Sequence, residues 1–378
     1  MLTFVLACVV PPFLLAVTTT ALVRRFAPGW GLLDRPGPRK VHEVVTPLGG
    51  GVAVWLSVVI PLGLVSITAC GCLPGLTLDR FLPAEVSASL DFVQIGSRLG
   101  LLWWILGGAT LLALVGLIDD FRNLPWLPRL AIQLLVAVGL VLAGVRGTVF
   151  LPWPWIGFVA TVLWILVLVN AFNFLDNMDG LSPGIALIAA SLFAVVLLTG
   201  TAHPHWLVAG VLLVLAGSLA GFLCHNWPPA KIFLGDAGSY FIGLLLAALT
   251  VVGTFYEGGT GTDGRHVILA PLFILAIPLY DFTSVMLIRL GRGHSPFRPD
   301  KNHFSHRLVE LGLSRRNTVL TIHLATLLTG LGGVLLYRVT DWTAALLILV
   351  LISCVLGIIA ILETVGRRAQ NDDVVTDD

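Results

Sequence analysis

Residues 153–181 read WPWIGFVATVLWILVLVNAFNFLDNMDGL, and two features of this stretch organise the rest of the chain. Trp153 to Val169 contains no charged residue, and the apolar character runs on to Phe172. Such a run is long enough for a helix across a bilayer, which needs about 20 mostly apolar residues. Asn170, Asn173, Asp176 and Asp179 then follow at steps of three. On a continued helix they would lie along one slowly turning face. Two carboxylates and two amides are thereby presented at the end of a membrane-grade segment. Carboxylate oxygens are hard ligands, suited to Mg²⁺ and the phosphates it carries. A polar helix end with a turn at Asp179-Gly180 would account for the cluster equally well, so its meaning depends on the other polar clusters.

The whole chain of 378 residues is 57% hydrophobic and 11% charged, with mean hydropathy +0.96. A soluble domain carries about 25% charged residues. The expected fold is therefore an all-α polytopic membrane protein. A formal net charge of +1 gives no basic excess for nucleic acid. The five cysteines, Cys8, Cys70, Cys72, Cys224 and Cys354, lie in or beside apolar runs at spacings unlike a zinc site, and their odd number speaks against a complete disulfide framework.

Eleven apolar runs qualify as candidate spans, approximately 2–23, 49–70, 99–118, 127–145, 153–172, 183–200, 207–224, 240–256, 267–288, 318–337 and 342–364. The first has no basic residue before it and Arg24-Arg25 after it, opposite to a cleavable signal peptide. It is expected to be a permanent helix with its N-terminus outside. Threading eleven spans from there places 17 of the 22 Lys and Arg on one side and 5 on the other. The positive-inside rule assigns the richer side, and with it the C-terminus, to the cytoplasm. Residues 1–366 are expected to form one transmembrane domain, followed by a polar, disordered cytoplasmic tail at 367–378. No soluble domain and no internal repeat is visible.

All the polar clusters fall on the cation-rich side. The first loop carries Asp34, Pro36, Arg39, Lys40 and His42, then Gly49-Gly50-Gly51. Its cations serve either topology or anion binding, while the prolines stiffen the loop and the glycines let the next helix approach closely. Asp119-Asp120 end the third span, and adjacent carboxylates are useful there if a cation sits between them and a phosphate. Ile232 to Ser239 reads IFLGDAGS, with Asp236 at a helix start. Capping explains that carboxylate, and so does a metal and phosphate site between small residues. The stretch 289–316 holds seven cations and His294, His303 and His306, a charge density suited to a polyanion. The two histidines at i,i+3 lack a third soft ligand, which argues against zinc. Asp281, inside the ninth span, needs either a structural partner such as Tyr or Ser or a role in the site.

Taken in order, D-x-P-x-x-R-K-x-H with a following GG, IDD, N-A-x-N-x-x-D-x-x-D-G-L, F-x-G-D-A-G-S and the histidine loop resemble the polyprenyl-phosphate N-acetylhexosamine-1-phosphate transferases, glycosyltransferase family 4. The resemblance covers 34–316 and is nearer to the undecaprenyl-phosphate N-acetylglucosamine-1-phosphate branch than to the peptidoglycan translocase. Two positions depart from the pattern. The family usually has Gly where this chain has Asn177, and often H-x-H-H where it has His303-Phe304-Ser305-His306.

The resemblance implies transfer of a hexosamine 1-phosphate from a UDP-N-acetylhexosamine to polyprenyl phosphate, with release of UMP, in a bacterial plasma membrane with the site facing the cytoplasm. The implied ion is Mg²⁺, with Mn²⁺ a substitute. The lipid bilayer is an implied partner, nucleic acid is not, and a homodimer is left open. Asp236 becomes the first metal ligand, with Asp119 and Asp120 engaging the lipid phosphate or helping to hold the metal. Asn173, Asp176 and Asp179 would hold the uridine and pyrophosphate. Arg298, His303, His306 and Arg307 would hold the diphosphate or sugar, with Lys40 and His42 also on the substrate.

Rival classes fit less well. A secondary transporter would place polar residues near the midplane between inverted repeats. An intramembrane aspartyl protease would need Tyr280-Asp281 and Gly235-Asp236 in the opposite order. A CDP-alcohol phosphotransferase shares D-x-x-D-G at 176–180 but would have Ala-Arg where Pro183-Gly184 stand.

Overall fold

The computed structural model describes residues 1–35, 44–69, 92–147, 153–201, 204–255, 262–293, 295 and 303–376. The chain folds as α1 (Leu2–Phe26), a short antiparallel pair β1 (Leu33–Asp34) and β2 (Thr46–Pro47), α2 (Gly50–Ala69), α3 (Phe92–Arg122), α4 (Trp126–Leu142), α5 (Pro154–Leu175), α6 (Leu181–Thr199), α7 (Trp206–Asn226) and α8 (Gly235–Phe255). A 3₁₀ stretch, Thr262–Leu269, leads into α9 (Ala270–Ile274), α10 (Ala276–Gly291), α11 (Phe304–Glu310), α12 (Arg315–Leu336) and α13 (Trp342–Thr376). The last helix is continuous past residue 366, the domain boundary drawn from composition. In lipid, backbone polar groups must be satisfied within the chain, and apolar runs of this length meet that demand as helices. The protein is integral to the membrane.

Nine of the eleven expected spans are single helices long and apolar enough to cross a bilayer among the described residues. The other two differ from expectation. α4 has 17 residues, about 25 Å at the helical rise, and falls short of the ~30 Å hydrocarbon core. The run 267–288 is not one helix, because α9 and α10 meet at 71°. Pro278 is the reason: it has no N–H to give the carbonyl of Ile274, and its ring crowds that carbonyl. α9 therefore stops at Ile274.

α8 is the centre of the bundle. Its spanning window is 89% buried, against 17% for α1 and for α13, which lie at the periphery. α2, α3 and α5 pack around it, α7 joins α1 to α6, and α12 closes the other side against α6 and α9. Polar side chains tie these helices where no water competes. Trp164 Nε1 donates to Thr250 Oγ1 at 3.1 Å between α5 and α8, and the hydroxyls of Ser57 and Ser218 lie 2.5 Å apart between α2 and α7.

The first loop is sewn to the entry of α8. Phe233 N–H donates to Pro47 O at 2.9 Å, and Gly50 and Gly51 N–H donate to Phe233 and Leu234 O at 2.9 and 2.8 Å. Gly51 faces Gly238, and a Cβ there would overlap the Gly238 backbone, so α2 reaches α8 only because both positions lack side chains.

Candidate active site

The polar clusters meet at one end of the bundle, where α3 and α5 finish and α8 begins. Gly235 opens α8 with φ +77°, a backbone state other residues rarely adopt, and a Cβ there would lie 2.6 Å from Asp120 Oδ2. This turn aims the free N–H groups of the helix start at α3. Asp120 Oδ1 accepts from Asp236 N–H at 2.9 Å and Asp120 Oδ2 from Ala237 N–H at 3.3 Å. The cap of α8 is therefore Asp120, not Asp236, and the helix start expected to attract phosphate already holds a carboxylate. Relieved of capping, the Asp236 side chain is 29% exposed and turned toward its neighbours.

Those neighbours come from two other helices. Asn173 Nδ2, in the last turn of α5, donates to Asp236 Oδ1 at 2.7 Å and to Ser239 Oγ at 3.2 Å. Arg129, from α4, pairs with Asp119 and reaches Asp236 Oδ2 at 3.4 Å and the Tyr240 hydroxyl at 3.3 Å. Asp119 also accepts from Leu124 N–H at 2.5 Å. In the sequence Arg129 is one of the cations on the richer side and belongs to none of the motifs. The available signal was a lone cation one turn into an apolar helix, a position that is costly unless paired.

α5 ends at Leu175, so the run 170–179 does not form one helical face. Asn170 pairs with Gln133 of α4 at 2.7 Å. Asp176 becomes the C-cap residue of α5 and accepts from Gly235 N–H, while Asp179, in the following loop, accepts from Ala230 N–H at 2.9 Å. Gly180 at φ +71° then turns the chain into α6. Asp176 is half-buried. Crowding by protein atoms, followed by the charges of Asp120 and Asp179, nevertheless pushes its pKa up to about 8 against the pull of the Gly235 N–H. Beside Asp179 lies a cleft of about 530 Å³ lined by Arg24, Lys231 and Arg315 together with Phe233.

The histidine segment docks on α10. Asp281 Oδ2 accepts from His303 Nδ1 at 2.9 Å, and its Oδ1 accepts from Phe304 N–H at 2.8 Å. The partner of Asp281 is thus His303, and neither a Tyr nor a Ser. The His303 ring stands edge-on to Phe174 at 5.9 Å and to His306 at 6.2 Å, and the Arg289 guanidinium lies 4.8 Å over the same Phe174 ring. Arg307 is buried on another side, with Nη1 2.5 Å from Glu363 of α13. Glu363 also accepts from the Tyr280 hydroxyl at 2.9 Å. Arg307 therefore ties α11 to the last helix. Lys40, His42 and Arg298 lie outside the described residues.

No three His, Cys, Asp or Glu side chains converge into a self-contained metal cage among the described residues. Mg²⁺ does not need one: it is commonly held by one or two carboxylates, with waters and substrate phosphates completing the set. Asp176 and Asp236 are both half-buried, where α5 ends and α8 begins, and supply hard oxygen donors. The donor set fits a hard divalent cation.

Residues 102–254 match the family model described as Glycosyl transferase family 4. The chain is 32% identical to a Bacillus subtilis protein named "probable undecaprenyl-phosphate N-acetylglucosaminyl 1-phosphate transferase", over 88% of this chain and 85% of that protein. It is 33% identical to the decaprenyl-phosphate N-acetylglucosaminephosphotransferase of Mycobacterium tuberculosis, over 91% and 86%. It is 28% identical to the undecaprenyl-phosphate alpha-N-acetylglucosaminyl 1-phosphate transferase of Escherichia coli K12, over 89% and 86%. With the motif-bearing segments gathered around the start of α8 and this similarity along most of its length, the chain belongs to glycosyl transferase family 4, among the polyprenyl-phosphate N-acetylhexosamine-1-phosphate transferases.

Proposed function

We propose that the protein transfers N-acetylglucosamine 1-phosphate from UDP-N-acetylglucosamine to a polyprenyl phosphate at the cytoplasmic face of a bacterial plasma membrane. A phosphate oxygen of the lipid attacks the β-phosphorus of the donor. The bond from that phosphorus to the bridging oxygen breaks, and UMP leaves with the electron pair. The polyprenyl-diphospho-sugar that remains is a starting unit for cell-wall or surface-polysaccharide synthesis.

The observation that carries the proposal is the Asp120–Asp236–Asn173 junction, which joins three helices at the end of the bundle. A site at helix ends lets an amphiphilic acceptor keep its tail in the bilayer while its phosphate meets a water-soluble nucleotide. A transporter site is expected near the midplane. The polyprenyl tail of the acceptor would run between apolar helix faces.

Asp236 and Asp176 would hold Mg²⁺, which when bound supplies charge stabilisation on the phosphoryl oxygens. Asn173 fixes the Asp236 carboxylate, and Asp120 fixes the helix turn that carries it. Asp119 holds Arg129 beside Asp236, where a guanidinium offsets charge gathered on the lipid phosphate and the donor. Asp281 fixes the His303 tautomer with its other ring nitrogen available to the donor. Asp179 and the cation-lined cleft beside it suit the nucleotide end, and the excess of basic residues on this side supports its cytoplasmic placement.

The test is UMP release by the purified protein with undecaprenyl phosphate, Mg²⁺ and a panel of UDP-sugars, with Asp236→Asn as the control. Transfer from UDP-N-acetylglucosamine that disappears in the folded variant is the expected result. Another preferred UDP-sugar would replace the donor in the proposal, and no transfer from any of them would overturn it.

A further inference from the structure

The two departures from the family pattern, Asn177 and Ser305, are 128 residues apart in sequence and meet in the fold. The Ser305 hydroxyl donates to Asn177 Oδ1 at 2.7 Å. The other end of the same amide is also used, since Asn177 Nδ2 donates to Phe174 O at 2.7 Å. Ser305 is 1% exposed, so water does not compete for its hydroxyl.

Each partner sits inside a segment that carries proposed site residues. Asn177 lies between Asp176 and Asp179, in the loop that leaves α5. Ser305 lies between His303 and His306, next to Phe304, whose N–H is held by Asp281. Phe174, which receives the Asn177 amide at its carbonyl, packs its ring against His303 and, at 5.4 Å, against Phe282 of α10. The hydrogen bond therefore joins the carboxylate loop to the histidine segment at the place where their rings already touch.

Sterics and hydrogen bonding make the two positions depend on each other. Glycine at 177 would leave the buried Ser305 hydroxyl without this acceptor. Histidine at 305 would bring a ring much larger than a hydroxymethyl group against the Asn177 side chain in a packed interior. Glycine and histidine together relieve both problems: one side chain shrinks as the other grows. Asn with Ser, and Gly with His, are then two ways to fill the same junction.

The geometry points to Asn177 and Ser305 as one paired positioning device that sets Asp176 and Asp179 against His303 and His306, and through them the handling of the donor's diphosphate-sugar end. This rests on the function proposed above. Neither side chain is placed on the reacting atoms, so both are positioning residues.

The experiment is a pair of double-mutant cycles on the full chain in detergent, Asn177→Ala with Ser305→Ala and Asn177→Gly with Ser305→His. Donor KM, kcat and Tm are read for every variant. Each alanine variant is expected to raise donor KM about tenfold with kcat little changed, and the alanine double variant to be no worse than either single one. Ser305→His is expected to lose about tenfold or more in kcat/KM, and the Gly/His double variant to recover most of that loss. Losses that simply multiply in both cycles would overturn the pairing. A Tm change without any change in donor KM would overturn the role in donor handling. If Ser305→His does not fold, the alanine cycle decides. Failure of the unsubstituted protein to transfer from any UDP-sugar would instead overturn the functional reading, and the Tm cycle, which needs no turnover, would still show whether the two side chains act as a pair.

Discussion

Asp120 lies across the first turn of α8 with its carboxylate 2.9 Å from the N–H of Asp236. An acid at the end of one helix thereby completes the start of another and sets the direction of the acid beside it. Asp120→Ala removes an N-terminal cap, which typically costs about 1–2 kcal/mol, and frees the backbone that holds Asp236. A lower Tm in detergent is expected, together with a fall in transfer of about 100-fold or more. An unchanged Tm would show that this carboxylate does not hold the helix start.

Asp281 and His303 should behave as a unit. Asp281→Asn leaves the volume intact but weakens control of the imidazole, and about a tenfold loss in kcat/KM for the donor is expected. His303→Ala introduced into the Asp281→Asn background should then cost much less than it does in the unsubstituted protein. Independent losses in the two variants would separate the acid from the ring.

The raised pKa of Asp176 gives a pH signature. A carboxyl that titrates near 8 in the folded chain, but near its ordinary value when unfolded, binds more protons folded than unfolded. Its contribution therefore favours folding most at low pH and is lost progressively as pH rises from the ordinary carboxylate range to about 8. Asp176→Asn resembles the protonated acid. Without divalent cations it should raise Tm relative to the unsubstituted protein most at pH 9, less at pH 6 and little at pH 4. Excess Mg²⁺ should shrink the difference at pH 9 by favouring the ionised acid. Equal Tm differences at pH 9 and pH 4 would contradict the assignment.

Arg307 and Glu363 predict a stability effect in place of a binding effect. Removing one member of a buried ion pair leaves the other charge in an apolar interior, at a cost of about 3–5 kcal/mol. Arg307→Ala should lower Tm sharply, while the fraction that remains folded keeps its donor KM. Arg307→Met with Glu363→Leu should recover most of the stability. A raised donor KM in folded Arg307→Ala would return this side chain to the substrate.

Hydropathy and charge made most of the architecture legible. An apolar run must be helical in lipid whatever it later touches, so the membrane-embedded bundle could be read locally, and nine expected spans are single helices among the described residues. The same local reading marked Asp119, Asp120, Asn173, Asp176 and Asp236 as polar groups at the ends of such runs. Even the break at Ile274 had a visible sign in Pro278, although a hydropathy window averages across it.

Which group answers which was a different matter. Asn173 meets Asp236 across 63 residues, Asp120 meets Asp236 across 116, and Ser305 meets Asn177 across 128. Periodicity within a segment carries no information about such pairings, because they depend on how helices cross and where each one stops. The stop of α5 at Leu175 released Asp176 and Asp179 from a helical face, and the approach of α13 drew Arg307 to Glu363. Residue types along the chain set what each side chain is able to do, and the packing of helices around α8 assigned each a partner, since a hydrogen bond or ion pair forms only within a few ångströms.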